Sequence, residues 1–187
     1  MKIKHSVLEH LDQYASHLKN LDDADRYTRF GYNANNLTID QFILSILYNR
    51  DQHHIFTYLE DNRIVGFGHL AREGTDWELA VSVDTNYQGR GIANELMDYM
   101  IAWGKTHGVH AVYMHCITEN QKIQHLARKH GLKTVDRSGQ EITAQVELPD
   151  PTAVDFMANF AREQTELATD IVKLQRTWLR NWIGYTQ

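Results

Sequence analysis

Between residues 6 and 19 the apolar positions Val7, Leu8, Leu11, Tyr14, Ala15 and Leu18 recur at helical spacing, marking one face of a first helix. Asp22 or Asp23 then offers a cap for a short helix over 22–29. Thr38 is followed three residues later by Gln41, a capping-box pattern ahead of Phe42, Ile43, Ile46 and Leu47. From there the period shortens. Residues 54–59 and 63–70 read as two strands divided by the polar turn Glu60-Asp61-Asn62. Residues 76–83 continue the sheet, with Glu78, Ala80 and Ser82 on one face and Leu79, Val81 and Val83 on the other. Helical spacing returns at Ile92, Leu96, Met97, Met100, Ile101 and Trp103, predicting a helix over 90–106. Past a turn at Gly108, residues 110–117 form a further strand. Asn120 opens a helix that stops at Gly131, and a last strand, 141–147, ends before Pro149.

Three strands precede the long helix, and strands and helices then alternate. That order predicts an α+β fold with a sheet of mixed direction, in which the helix at 90–106 crosses over between strands 76–83 and 110–117. Beyond the sheet, Val154, Met157, Phe160, Gln164, Leu167, Ile171, Leu174 and Trp178 alternate in steps of three and four over 152–184. They predict a helix of about 30 residues, roughly 45 Å long at ~1.5 Å per residue. Such a helix exceeds what one small sheet domain covers. Either it pairs with a second copy in a homodimer, or it folds back across its own domain. Trp178, Leu179, Trp182 and Ile183 require a partner surface in both cases. The expected organisation is a domain over 1–149 and a helical extension over 150–187.

Composition narrows the partners. An apolar share of 42% and a charged share of 23% suit a soluble globular chain of 187 residues with a full core. A net charge of −5 offers no broad basic face, so nucleic acid and anionic membrane are not the expected partners. The start, Met1-Lys2-Ile3-Lys4-His5, lacks the apolar stretch of a signal peptide, and no run reaches membrane-spanning length. The single cysteine, Cys116, precludes an internal disulfide and suits a reducing compartment, so a cytoplasmic location is expected. Histidine is frequent, at 11 copies, but His53, His54, His110, His115, His125 and His130 show no tight ligand spacing, and no metal is expected.

The chemistry centres on Gln88-Gly89-Arg90-Gly91-Ile92-Ala93, placed where the strand pattern gives way to the helix pattern. A glycine-rich turn that opens a helix points free backbone N–H groups outward, with the positive end of the helix dipole behind them, and so forms an anion site. It is not a dinucleotide fingerprint, because Gly89-Arg90-Gly91 lacks the third glycine and no acidic ribose partner follows the next strand.

This turn matches the Gln/Arg-x-x-Gly-x-Gly/Ala motif of the GNAT superfamily of acyl-CoA-dependent N-acyltransferases, which the chain resembles over residues 54–147. Asn120, Ile123, Leu126, Ala127 and Gly131 resemble the family's second element, an Asn-x-x-apolar helix ending in Gly-Phe, with Leu132 in place of Phe. Glu78-Leu79-Ala80-Val81-Ser82-Val83, and the segment from Leu21 to Phe30, are similar to the bacterial protein-lysine acetyltransferase branch. The resemblance implies a mostly antiparallel central sheet flanked by helices, with acetyl-CoA as acyl donor and an amine-bearing acceptor, a small molecule or a protein lysine. It further implies that backbone groups of Gly89, Gly91, Ile92 and Ala93 hold the CoA pyrophosphate, with side-chain contacts from Gln88 and Arg90. Val81 and Val83 would pair with the pantetheine arm, and Asn120 would cap its helix and touch CoA.

Glu78 matches the catalytic glutamate of the lysine-acetylating branch and is the expected general base. A free glutamate has a pKa of about 4.3, so it would act through water or with a raised pKa. A bulge near Leu79 or Ala80 would free a backbone N–H to polarise the carbonyl. The tyrosine that protonates the leaving thiolate in many members is replaced here by Ala127. Tyr113 and Cys116 are the nearest substitutes, and both also fit as packed strand residues. A non-catalytic module that senses acyl-CoA and signals through the C-terminal helix is the alternative function.

Overall fold

The computed structural model describes residues 2–5 and 9–165. Its elements are β1 (Ile3–His5), α1 (Leu11–Asn20), α2 (Asp23–Phe30), α3 (Asn36–Tyr48), β2 (His53–Glu60), β3 (Arg63–Glu73), β4 (Asp76–Val83), α4 (Ile92–Thr106), β5 (Ala111–Ile117), α5 (Gln121–Lys129), β6 (Lys133–Ser138) and β7 (Glu141–Glu147). A further helix, α6, spans 153–165. Contacts divide the chain into a unit Lys2–Asp150 and a unit that begins at Pro151.

The seven strands lie in the order β1-β2-β3-β4-β5-β7-β6. Only β4 and β5 run parallel; every other neighbouring pair is antiparallel. This is the sheet of mixed direction that the element order predicts, mostly antiparallel as the resemblance implies, and α4 is its crossover. Asp61 and Asn62, with φ of 50° and 62°, close the β2–β3 hairpin in the doubly left-handed turn that suits strand twist.

Strand alternation loads both faces of the sheet. Phe56, Leu70, Leu79 and Val112 pack under Leu96, Met97 and Met100 of α4, with Ala127 of α5 in the same cluster. On the opposite face Ile55 and Phe67 meet Tyr14 and Leu18 of α1 and Ile39 and Ile46 of α3. Each fully buried leucine, isoleucine, valine, methionine or phenylalanine among them stabilises the fold by about 1.5–3 kcal/mol against an exposed one. Gly68 lets α4 lie close on β3, since a Cβ there would stand 2.6 Å from Met100 Sδ.

Several elements differ from the expectation. The first helix starts at Leu11 and not at residue 6, and Val7 and Leu8 lie outside the described residues. The cap of α3 is Asn35 and not Thr38: Asn35 Oδ1 accepts from the Thr38 N–H at 2.9 Å, so Thr38 sits inside the first turn as a donor. Strands β1 and β6 carry no apolar alternation that would announce them. β6 is exposed along its whole length and owes its form to pairing with β7. Of the helix predicted over 152–184, α6 accounts for 153–165; Leu167, Ile171, Leu174, Trp178, Leu179, Trp182 and Ile183 lie outside the described residues.

Candidate active site

The parallel pair β4–β5 is short. Only Trp77 with Val112 and Glu78 with Tyr113 are in register, after which β4 stays with β3 as far as Val83 and β5 stays with β7 as far as Ile117. The strands separate and open a cleft of about 200 Å³ in the middle of the sheet. Its walls are Glu78–Val81 of β4, Met114–Ile117 of β5, Ile123 of α5, Glu141 of β7 and the end of α2 from Thr28 to Gly31. No bulge contributes to the opening: β4 pairs with β3 in unbroken register from Asp76 to Val83, which corrects the bulge considered near Leu79 or Ala80. Backbone groups on the free edge of β4 become available through divergence from β5 instead.

Glu78 stands at the point of divergence and is half-buried. Leu79 and Val83 enter the α4 core, and Ser82 Oγ lies 2.9 Å from His17 Nε2 of α1, so the face shared by Glu78 and Ser82 looks toward the layer of α1–α3. His17 Nδ1 in turn lies 2.8 Å from Asp84 Oδ1. Burial lowers the His17 pKa against the opposing pull of Asp84, and the trio ties α1 to the end of β4.

The predicted glycine turn follows β4. Gly89 and Gly91 have φ of 74° and 83°, and a Cβ at either would meet nothing within 4 Å, so backbone conformation alone demands glycine there. Gly91 is also the N-cap of α4, with no side chain to fill the role. The starts of α2, α3 and α5, by contrast, are capped by Asp22, Asn35 and Asn120. The first N–H groups of α4 therefore lack a side-chain acceptor and face outward with the dipole behind them.

The side chains around this turn point back to the protein. Gln88 Nε2 donates to Asp25 Oδ2 at 2.8 Å and to the Val83 carbonyl at 3.3 Å. Arg90 donates to the Asn86 carbonyl at 3.0 Å, approaches Glu60 at 3.7 Å and lies over the Tyr87 ring. The Ile92 side chain is core, leaving only its backbone for a ligand; Val83 is likewise buried. Asn120 Oδ1 accepts from the Ile123 N–H at 3.1 Å and opens α5 directly after β5. Both parallel strands thus hand over to helix starts at the same end of the sheet, the end at which open sheets bind ligands. Glu78 and Val81 line the cleft itself, whereas Val83, residues 88–93 and Asn120 do not.

Several cleft residues have no chemical role assigned by the sequence; Arg29 enters it only as part of the Leu21–Phe30 resemblance. Arg29 Nη2 donates to the Tyr14 hydroxyl at 2.9 Å and meets His69 Nδ1 at 3.5 Å, while the guanidinium lies 5.2 and 5.7 Å from the Phe30 and Phe42 ring centres. Burial works against the Arg29 charge, but the Tyr14 hydroxyl and the nearby Glu78 carboxylate outweigh it and raise its pKa. A donor at His69 Nδ1 places the His69 proton on Nε2, which then donates to His53 Nδ1 at 3.0 Å. Burial and the Arg29 charge hold His69 well below the ordinary imidazole range, so it remains neutral. The Tyr113 hydroxyl donates to Glu73 at 2.6 Å, and burial together with the Glu73 and Glu78 carboxylates raises its pKa. Cys116 is buried in the wall, and burial pushes its thiol up to about 11. Ala127 is fully packed in the core. Among the described residues, no cluster of histidine, cysteine and carboxylate side chains has metal-holding geometry.

Solved structures share this fold. The GNAT domain of S. lividans PAT aligns with a TM-score of 0.66 at 15% identity, covering 78% of this chain and 89% of that one. Spermidine N-acetyltransferase from Vibrio cholerae, in complex with CoA and spermine, gives 0.61 at 15% identity over 79% and 96%. Ribosomal-protein-alanine N-acetyltransferase from Brucella melitensis gives 0.58 at 18% identity over 79% and 100%. No curated protein matches the chain. The profile of the acetyltransferase (GNAT) family matches residues 15–132, well over half of the sequence, and the protein belongs to that family of acyltransferases.

Proposed function

We propose that this protein moves the acetyl group of acetyl-CoA onto a primary amine by direct attack, with Glu78 as general base. The observation that carries this reading is the position of Glu78 where β4 leaves β5, on the same cleft wall that runs toward the uncapped start of α4. The α4 start offers N–H groups and a dipole to the pyrophosphate, and Val81 and Val83 offer strand backbone to the pantetheine arm. That placement puts the thioester beside the β4–β5 opening.

The acceptor arrives as an ammonium and loses a proton to Glu78, directly or through water. Its lone pair forms the N–C bond at the thioester carbonyl, and backbone N–H groups on the free edge of β4 stabilise the oxygen as charge develops. The C–S bond then breaks and CoA departs as a thiolate. Ala127 supplies no acid at the position where many relatives carry tyrosine, the Tyr113 hydroxyl is engaged as a donor to Glu73 with its pKa raised, and Cys116 holds its own proton too tightly to give it up readily. The thiolate therefore leaves unassisted, which a thiol pKa near 8.5 permits.

The measurement that tests this is CoA thiol release from acetyl-CoA against a panel of amines and peptides, with Glu78→Gln alongside. The expected result is wild-type turnover and a loss of about 10²- to 10⁴-fold in kcat for the variant. A variant with full kcat on a good acceptor refutes the base. Acetyl-CoA binding without transfer to any amine favours the sensing module instead. We further infer a homodimer formed through the C-terminal apolar stripe and a cytoplasmic location, both supported by the sequence pattern.

A further inference from the structure

The cleft holds three charged side chains of two signs: the carboxylates Glu78 and Glu141 and the guanidinium of Arg29. Arg29 is unusual among them. Among the described residues its partners are the Tyr14 hydroxyl and His69 Nδ1, both on Nη2, and no carboxylate stands within ion-pair distance. Nε is sealed in without a partner. Nη1 also lacks a partner and, unlike Nε, is not sealed from solvent. The phenyl rings of Phe30 and Phe42 exclude water from the neighbourhood of the charge. Cations in such surroundings are normally paired, because removing a charge from water is costly unless a counter-charge replaces the solvent.

The side chain is also held in place. The Tyr14 hydroxyl and the His53–His69 pair fix one edge of the guanidinium and leave the other free. A helix-end arginine with no role beyond solubility would extend into water. This one is folded inward, under α1, onto a wall of the cleft that contains Glu78.

We infer that Arg29 is the anion-binding residue of the acceptor site, and that the acceptor is an amine bearing a carboxylate: an amino acid or a small amino-acid-like molecule. The inference rests on the acetyltransfer reading above. The acceptor's ammonium faces Glu78, where it gives up its proton, and its carboxylate meets the free Nη1 edge of Arg29. The two charges of the ligand thus complement the two signs on the wall. A polyamine would bring a second cation toward Arg29, and a lysine side chain within a protein would bring no anion to its free Nη1 edge.

The test measures kcat/KM with acetyl-CoA for free L-amino acids and their matched carboxamides, beside spermidine and a lysine peptide with blocked ends. The full chain is used, together with Arg29→Met and Arg29→Lys. The expected result is that the wild type acetylates an amino carboxylate with kcat/KM about ten- to a hundredfold above its amide, as one charge-assisted hydrogen bond allows. Arg29→Met should bring that ratio close to one by raising KM for the carboxylate. A purely structural role for Arg29 would scale both substrates alike and leave the ratio intact, which would overturn the inference. The ratio in the wild type is decisive even if neither variant folds. Acetylation of spermidine or the peptide without any carboxylate preference overturns the inference while leaving the acetyltransfer reading in place. Absence of transfer to every amine defeats the acetyltransfer reading and this inference with it.

Discussion

Replacing Gly91 by alanine separates the two things asked of the β4–α4 turn. At φ of 83° an alanine is strained, and a Cβ there meets nothing within 4 Å, so no clash confuses the effect. A left-handed conformation costs about 1–2 kcal/mol for a residue with a Cβ. For a chain of this size that is roughly 2–8 °C in Tm, at about 2–4 °C per kcal/mol. The strained turn has a cheap escape: rotating out of the left-handed region re-aims the first N–H groups of α4, which carry the proposed phosphate site. Each charge-assisted hydrogen bond lost weakens binding by roughly 1.5–3 kcal/mol, or about 10- to 150-fold in Kd. Gly74→Ala is the control. It lies in the β3–β4 turn with φ of 63° and an equally open Cβ position, at the other end of β4. Thermal melts and calorimetric titration with CoA on both variants form the assay. Both should lose Tm by similar amounts, and only Gly91→Ala should lose CoA affinity. A Gly91→Ala protein that melts like the control and still binds CoA as the wild type refutes the phosphate site, and an unchanged Tm in both refutes the strain argument.

Two further predictions follow from burial and from the C-terminal stripe. His5 and His54, 3.2 Å apart under Trp103, have pKa values lowered to about 4 by burial and by neighbouring imidazoles. The unfolded chain therefore binds these protons first as pH falls from about 6.5, so stability is full above that value and declines down to pH 4, by about 1 kcal/mol per histidine at pH 5 after allowing for partial exposure. Urea midpoints at pH 5 and pH 7.5 check this, and equal midpoints contradict it. If the C-terminal stripe dimerises the chain, the full-length protein sediments as a dimer and a chain truncated after Pro149 as a monomer; monomer masses for both contradict that.

What could be read ahead of the structure was what local pattern encodes. The period-two and period-3.6 stretches located β2 to β5, β7, α4 and α5, and the alternation in β4 put Glu78 on the face opposite Leu79 and Val83. The glycine turn and its place at the start of α4 followed from residue type and position. Other features depend on contacts between residues far apart in sequence. β6 exists only because β7 pairs with it. Thr38 with Gln41 reads as the cap of α3, yet Asn35 takes that role because the chain enters the helix one turn earlier. Arg29 falls in the Leu21–Phe30 segment that resembles the lysine-acetylating branch, but that resemblance attaches no role to it. Its character comes from Tyr14, Phe42 and His69, which the fold brings from three other elements, and from a cleft made by two strands that separate after two paired positions.

The central claim is that acetyl-CoA lies along β4 with its pyrophosphate on the start of α4. It is tested most directly by titrating the isotope-labelled protein with acetyl-CoA and following backbone amide shifts. The account predicts the largest changes at Gly89, Gly91, Ile92 and Ala93, with a second group along Leu79–Val83. Binding that leaves those amides unmoved and shifts another surface would contradict it.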